Sequence, residues 1–472
     1  MAPNIEDRIQ TTERDKNQDL FNIKVFLIAA GVLGIAFLGL TWLSRGELGI
    51  GSEPTETEEL QAELIEPAEP DVPPSKLSQG QQILRPTSAM PLKENGAEAM
   101  ASGDYEAAIS AFERARTVDK SDPEVLVYLH NARIGEQDAH ALGVVAPLTT
   151  DPVAATGILR GVAQAQDEIN QAGGIQGKPL RVFLTDDQGN VDLAQAIATE
   201  LSQIPAMIGV IGHHTTETIQ ATAETYTNAA LPLISTSPER ETDATSLLST
   251  DLPIAEALAF YMDKLNHKTV ILFYDGTSGY SQTFRTNFQP ALEGVQGKMN
   301  AEIDLSAIPA DLASNPPEAE IFLLSPGYSS LETAKDSIEI IPNDKVDHFY
   351  RHIFGSHELF QPEVLQLFGS MATGTILAVP DSIYQSAASP FNETARSLWD
   401  APIDWKTAAS YNKVKSIAGA LEEDVNGGTV PQAIDSSNDT VRILRVRVNP
   451  EAPSGYELVS AGTMTKDGFK AN

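Results

Sequence analysis

The 472-residue chain contains no cysteine. That absence excludes disulfides, thiol catalysis, Cys-ligated zinc and the lipid-bearing cysteine of a bacterial lipoprotein, and it leaves the redox compartment unreadable from thiols. Basic residues are scarce: 32 Lys and Arg stand against 65 Asp and Glu, for a formal net charge of -33. Nucleic acid is excluded as a partner on that ground, because a phosphate backbone is bound by clustered basic surface that displaces counterions. Catalytic signatures are missing too, with no G-x-S-x-G elbow and no H-E-x-x-H pair. The stretch Ala172-Gly173-Gly174-Ile175-Gln176-Gly177-Lys178-Pro179 is as glycine-rich as a phosphate loop. It nevertheless lacks the first Gly, has Pro where Ser or Thr is required, and follows a helical pattern rather than a strand. The adjacent His213 and His214 have no second cluster at ligand spacing. The sequence therefore predicts no enzyme, no cofactor and no metal site.

Long hydrophobic runs are confined to one place. Residues 25–43 (VFLIAAGVLGIAFLGLTWL) form a run of 19 without a charge, enough to cross about 30 Å of hydrocarbon as a helix. The long leader before it, and the lack of an A-x-A-like site at 42–46, favour an uncleaved anchor over a cleaved signal peptide. Arg8, Arg14, Lys16 and Lys24 precede the run and only Arg45 follows it before Lys76, which puts residues 1–24 in the cytoplasm. The expectation is a single-pass inner (plasma) membrane protein whose C-terminal domain is periplasmic or otherwise extracytoplasmic. Residues 46–90 are acidic and Pro-bearing and predict a disordered tether, with a mean span of roughly 40 Å.

Residues 91–136 (beginning PLKENGAEAMASGDYEAAISAFERAR) show helical periodicity broken at Gly103-Asp104 and at Ser121-Asp122-Pro123, so two helices and the start of a third are expected. Gly96, Gly103-Asp104-Tyr105, Ala108, Phe112 and Ala115 occupy small and aromatic positions at which this stretch resembles a tetratricopeptide repeat, with Leu92 for the usual Trp and Lys120 for the usual Pro. One repeat cannot bury its own face, so it must pack on a partner protein, another copy or the following domain.

From 139 to 465 short apolar runs alternate with amphipathic helical ones: ALGVVAPL, LRVFLTDD, MIGVIGHH, TVILFYDG, AEIFLLSPG and GTILAVPD end in Gly, Pro, Asp or His. Near-continuous apolar strands separated by helices predict parallel sheets covered on both faces. The length predicts two lobes, the first over about 139–252 with a later return and the second over about 253–378. Ligands bind beyond the carboxyl ends of such strands. The residues there are rich in hydroxyls: Thr215-Thr216, Ser235-Thr236-Ser237, Thr277-Ser278 and Ser329-Ser330. Such residues cap helices, and where several loops converge they can also hold an anion.

Several stretches together resemble the type I periplasmic binding proteins, specifically the branched-chain amino-acid-binding group of ABC transporters. They are Gly143 to Thr149, Gly161, Asp167-Glu168-Ile169-Asn170 leading to Ala172-Gly173-Gly174-Ile175-Gln176-Gly177, Asp186-Asp187, and Ile211-Gly212-His213. The resemblance implies a fold of two doubly wound parallel sheets closing on a small polar, amino-acid-like solute, with an ABC permease as partner. Within it, the glycine-rich turn and the aspartate pair are scaffold. By the same resemblance, Thr216, Thr236 and Ser237 fall at carboxylate-binding positions of lobe one. Tyr280 and Tyr328 match the tyrosines of lobe two. His357, followed by Glu358, stands where an acidic partner for the ligand's ammonium is expected. Residues 405–423 resemble a late helix whose Ala and Gly spacing serves packing. A second function also fits: a helical repeat before such a domain resembles the activators of penicillin-binding proteins, in which the fold contacts a cell-envelope enzyme. The repeat would then be a docking site for a protein.

Overall fold

The computed structural model describes residues 77–471 apart from 88, 237–244, 247–250, 327–329, 342–351, 361, 385–388, 401–402, 424–439, 452–454 and 466–467. The expected leader, membrane span and most of the tether lie outside the described residues, as do Ser237 and Tyr328. Among the described residues no helix is long and apolar enough to cross a membrane.

Three helices come first: α1 (Met90–Ser102), α2 (Tyr105–Val118) and α3 (Pro123–Ile134). Gly103, at φ 76°, ends α1 in the left-handed conformation that glycine adopts without strain. Asp104 then caps α2 by accepting from the Ala107 N–H, and Asp122 with Pro123 opens α3. A Cβ on Gly96 would fall 2.4 Å from the Phe112 ring, so this glycine is what lets α1 and α2 approach. The packing partner of the segment is the domain that follows. α3 is buried along almost its whole length, between α2 on one side and α4 (Pro152–Gln171) and β2 (Leu180–Thr185) on the other.

The first sheet is five-stranded and parallel, in the order β2-β1-β3-β4-β5, with β1 His140–Val145, β3 Met207–Ile211, β4 Leu233–Ser235 and β5 Thr245–Ser246. Between these strands run α4, α5 (Val191–Ser202) and α6 (Thr216–Asn228). The turn from α4 to β2 holds Gly173, Gly174 and Gly177 at positive φ, and a Cβ on Gly174 would lie 2.1 Å from the Lys178 carbonyl oxygen. A side chain there would break the tight Ile175–Lys178 bridge.

As the outermost strand, β2 leaves three peptide groups facing away from β1, and each is satisfied on both its N–H and its C=O. Asn170 accepts from the Leu180 N–H at 2.7 Å and donates to the Leu180 carbonyl at 3.0 Å. Asn131 of α3 does the same for Val182, at 3.1 and 2.7 Å. The Ser78 backbone pairs with Leu184 in both directions at 2.8 Å. Residues 77–87 are thus packed chain rather than the solvated tether expected up to 90. A buried charge cluster holds them in place: Lys93 Nζ donates to Asp122 at 2.7 Å, to Glu124 at 2.6 Å and to the Arg85 carbonyl at 2.7 Å. Glu124 also accepts from the Leu84 and Arg85 N–H groups.

The second sheet has the order β13-β12-β11-β10-β9-β8-β6-β7. Its parallel part is β6 (Thr269–Tyr274), β7 (Lys298–Asp304), β8 (Ile321–Ser325), β9 (His352–Gly355) and β10 (Ile376–Pro380), with α7 (Asp251–Lys264), α8 (Gly279–Gly294), α9 (Leu331–Glu339) and α10 (Pro362–Phe368) between them. The expectation of two wholly parallel sheets is corrected here. β11 (Val441–Val448), β12 (Tyr456–Thr465) and β13 (Gly468–Ala471) add antiparallel to β10. Short connections after 448 and 465 allow hairpins, whereas a parallel addition would need a crossover helix.

Before those strands the chain returns to the first sheet as α11 (Pro390–Trp399) and α12 (Trp405–Glu423). α12 lies directly on α4, because Gly157 and Gly161 present no side chain. A Cβ on Gly161 would fall 2.1 Å from Ser410 Oγ and 2.2 Å from the Thr407 carbonyl oxygen, and one on Gly157 would fall 2.6 Å from the Asp404 carboxylate. This close crossing fixes where α12 begins. One apolar core lies between the first sheet and α5 and α6, another between the second sheet and α7 and α8, and a third runs from the N-terminal helices through α4 and α12 into lobe two. The result is two α/β lobes preceded by three helices among the described residues.

Candidate functional site

In lobe one the carboxyl ends of β3 and β4 bring together His213, His214, Thr216 and Thr236. Thr236 is buried; its N–H and hydroxyl both donate to the His213 carbonyl at 3.1 Å, and its oxygen lies 3.2 Å from His214 Nδ1. Thr216 is the first residue of α6, half-buried, just after Thr215 caps the helix by accepting from the Thr218 N–H. The two histidines differ. His213 is fully buried, with Nδ1 on Asp187 and Nε2 3.1 Å from the Tyr226 hydroxyl, so both ring nitrogens are taken by scaffold. Burial works to raise Asp187, but the hydrogen bond and charge of His213 with the Gly189 N–H hold its carboxyl below the usual range. The aspartate pair after β2 thus ties loops together, since Asp186 accepts from Thr149 at its N–H and hydroxyl. His214 faces the other way, with Nε2 3.9 Å from Asp151.

In lobe two, Tyr280 opens α8 and is buried, and His357 follows β9 in a single 3-10 turn. Three rings meet edge to face. The His357 imidazole lies 5.0 Å from Tyr280 and 4.8 Å from Trp405, the first residue of α12. Among the described residues, His357 Nδ1 finds no hydrogen-bond partner, nor do the buried hydroxyls of Ser325 and Ser356 at the ends of β8 and β9. Glu358 is buried beside them, 3.7 Å from His357 Nε2. The Lys406 ammonium lies over the Trp405 ring at 4.2 Å.

Electrostatics joins the two halves. Burial, with the Lys406 charge added, pulls the His357 imidazole down to about 3, so it is neutral at physiological pH. Burial pushes the Glu358 carboxyl up. Lys406 and the Trp405 indole oppose that rise, and Asp404 and Asp151 reinforce it. His214 of lobe one is lowered chiefly by burial; Asp151 opposes and Lys406 adds to the effect.

Of the residues expected from sequence, the structure brings Thr216 and Thr236 to one rim, and Tyr280, His357 and Glu358 to the other. Asp151, Trp405 and Lys406 were not singled out as site residues from the sequence, and His214 was weighed there only as a metal ligand. The only signal for Trp405 and Lys406 was their place after Asp404, which caps α12 by accepting from the Thr407 N–H and hydroxyl. A surface depression of about 310 Å³ on α8, lined by Arg285, Thr286, Gln289, Pro290 and Glu293, shares no residue with this cluster.

Comparison with known proteins gives a consistent picture of the fold. A family profile described as "Periplasmic binding protein" matches residues 93–317. An "Amino acid binding protein" of Pseudomonas aeruginosa is 34% identical over 83 residues, which is 17% of this chain and 22% of the relative, so only about a fifth of that relative's length is matched. A solute binding protein of an ABC transporter from Rhodopseudomonas palustris, solved with 3,4-dihydroxybenzoic acid, is similar with a TM-score of 0.56 at 14% identity; the match covers 71% of this chain and 99% of that one. The branched-chain amino acid transporter substrate binding protein of Streptococcus pneumoniae, solved with isoleucine, gives 0.51 at 18% identity over 68% of this chain and all of the other. A leucine binding protein of Thermotoga maritima gives 0.51 at 14% identity, covering 70% and 99%.

Proposed function

We propose that this protein belongs to the periplasmic binding proteins and is an extracytoplasmic solute-binding protein. On this reading it captures an amino acid or a related small polar solute between its lobes and presents it to an ABC permease or a sensor. Residues 25–43 hold it at the membrane, and it carries out no chemistry of its own. The observation that carries the reading is the buried cluster of His357, Glu358, Trp405 and Lys406 beside Tyr280, where three buried polar atoms, His357 Nδ1 and the hydroxyls of Ser325 and Ser356, lack partners among the described residues. Buried donors and acceptors are rarely left unpaired, so a solute that completes them gains hydrogen bonds in a water-poor site. Thr216 and Thr236 supply hydroxyls on the lobe-one side, and Tyr280 supplies a wall on the other.

Thermal unfolding of the full-length protein against amino acids, organic acids, amides and short peptides tests this. A ligand present at about a thousand times its Kd adds roughly 4 kcal/mol, a midpoint shift of several degrees that Thr216→Ala should reduce. A second reading, a cell-envelope scaffold, draws on the mutual packing of Tyr280, His357 and Trp405, which fills part of the space between the lobes. A cooperative transition that no solute moves, together with recovery of a cell-wall synthase from membranes, would favour it over transport.

A further inference from the structure

The two lobes meet through aromatic rings, and each ring is fixed by its own lobe. Trp405 is mounted on lobe one. It opens α12 directly after Asp404, whose carboxylate lies 2.6 Å from where a Cβ on Gly157 of α4 would fall and accepts from the Thr407 N–H at 2.9 Å. The close crossing at Gly161 leaves α12 little room to roll on α4. On lobe two, His357 sits in the 3-10 turn after β9. That turn folds back on the strand because Gly355 has no side chain: a Cβ there would lie 2.2 Å from Leu359 Cδ1. Tyr280 is held by the start of α8, where Ser278 accepts from the Ser281 N–H. The Ser281 hydroxyl in turn accepts from the Asp275 N–H at 2.8 Å and donates to the Ser325 carbonyl.

Between these mounts the rings interlock. The His357 plane stands at 89° to the Trp405 ring with centroids 4.8 Å apart, and at 73° to Tyr280 at 5.0 Å. Trp405 is 6% exposed, Tyr280 3% and His357 2%. The imidazole is neutral, so uncharged rings meet in a geometry that gains more than the area it buries. Domains of one chain move against each other by default unless their interface is large and apolar. Here the ring contact continues into the apolar core that Trp405 and Leu359 share with α4 and with the second sheet. Parting the lobes at this point would put three rings in water, and their fixed mounts offer them no other partner. We propose that Trp405 is a latch: its indole, seated against His357 with Tyr280 behind, holds lobe one to lobe two in the resting protein by contacts of the chain itself. The latch goes beyond the solute-binding reading, on which a solute has to part it to enter.

The chain has no cysteine, so two introduced cysteines place spin labels without interference. Ala196→Cys, exposed on α5 of lobe one, and Gln289→Cys, exposed on α8 of lobe two, report the distance between the lobes by double electron–electron resonance in the full-length protein. The labelled parent should give one narrow distance distribution. Trp405→Ala should add a second, displaced population of at least about a quarter of the molecules, where a minor state ordinarily holds a few per cent or less. Trp405→Phe retains an edge-to-face ring and should keep the parental distribution. His357→Ala removes the socket from the other side and should part the lobes as Trp405→Ala does. A Trp405→Ala distribution that matches the parent, or a parent already split into two populations, overturns the latch. If Trp405→Ala does not unfold cooperatively, His357→Ala decides the matter by the same distances. Solute binding is read separately in the thermal panel, so the failure of the latch leaves that reading standing, and a silent panel leaves the latch standing.

Discussion

Replacing Asn131 with alanine tests how the N-terminal helices are joined to lobe one. The side chain is 2% exposed and makes four hydrogen bonds: it donates to the Gln79 and Val182 carbonyls at 2.9 and 2.7 Å, and accepts from the Val182 N–H at 3.1 Å and Gln166 Nε2 at 3.0 Å. Alanine leaves the Val182 N–H and C=O buried and unpaired, at about 1–3 kcal/mol for each group. A total near 3 kcal/mol is expected. At roughly 2.1 cal/mol/K per residue, a folded unit of about 400 residues has a melting entropy near 0.8 kcal/mol/K. The midpoint should therefore fall by about 4 °C in scanning calorimetry, and the Val182 amide should exchange faster with solvent. Asn131→Asp keeps the acceptor but loses the donor and buries a charge, so it should be at least as damaging. A midpoint within about 1 °C of the parent for Asn131→Ala, with Val182 exchange unchanged, would refute the idea that this amide completes the sheet edge.

Three further outcomes follow from the structure. Gly161→Ala places a methyl 2.2 Å from the Thr407 carbonyl and must push α12 away from α4; a loss of about 1–3 kcal/mol is expected, and ligand affinity should fall along with it because Trp405 and Lys406 move. Lys93→Met strands Asp122 and Glu124, both fully buried at the side chain, and should cost about 3–5 kcal/mol in urea melts. The depressed His357 takes up its proton at higher pH unfolded than folded. Its contribution to stability is therefore complete above about 6.5, the ordinary histidine value, and is lost as pH falls toward 3, with a slope of at most about 1.4 kcal/mol per pH unit. Urea melts between pH 7.5 and 5 should show that loss, and His357→Gln should flatten it; Glu358, raised by burial, binds its proton at higher pH in the folded state and works in the opposite direction between that raised value and the ordinary 4.5, so the comparison with His357→Gln isolates the histidine.

Much of the fold is legible because parallel strands buried on both faces announce themselves as apolar runs, and the α4–β2 turn announces itself by glycines that backbone geometry demands. The antiparallel extension is not, since VRILRVRV in β11 alternates with arginines and reads as the strand of a half-exposed sheet rather than a continuation of the buried one. Thr216 and Tyr280 were singled out because they follow strands at the ends where ligands gather, and His357 by the family resemblance alone. Trp405 and Lys406 were not, because their place depends on Gly157 and Gly161 some 250 positions earlier admitting α12 against α4. Nothing near residue 405 records that contact. The packed state of residues 77–87 was hidden for a similar reason: their partners, Leu184 and Glu124, lie far along the chain.

The seam along β2 also decides where load enters the molecule. Whatever pulls on the chain from before Leu77 acts first on the two Ser78–Leu184 backbone bonds and then on the Lys93 cluster, both seated on lobe one. In mechanical terms lobe one takes that load first. Tension along the chain would peel the edge of the first sheet, two backbone bonds at a time, before it reached the buried ion pairs behind it.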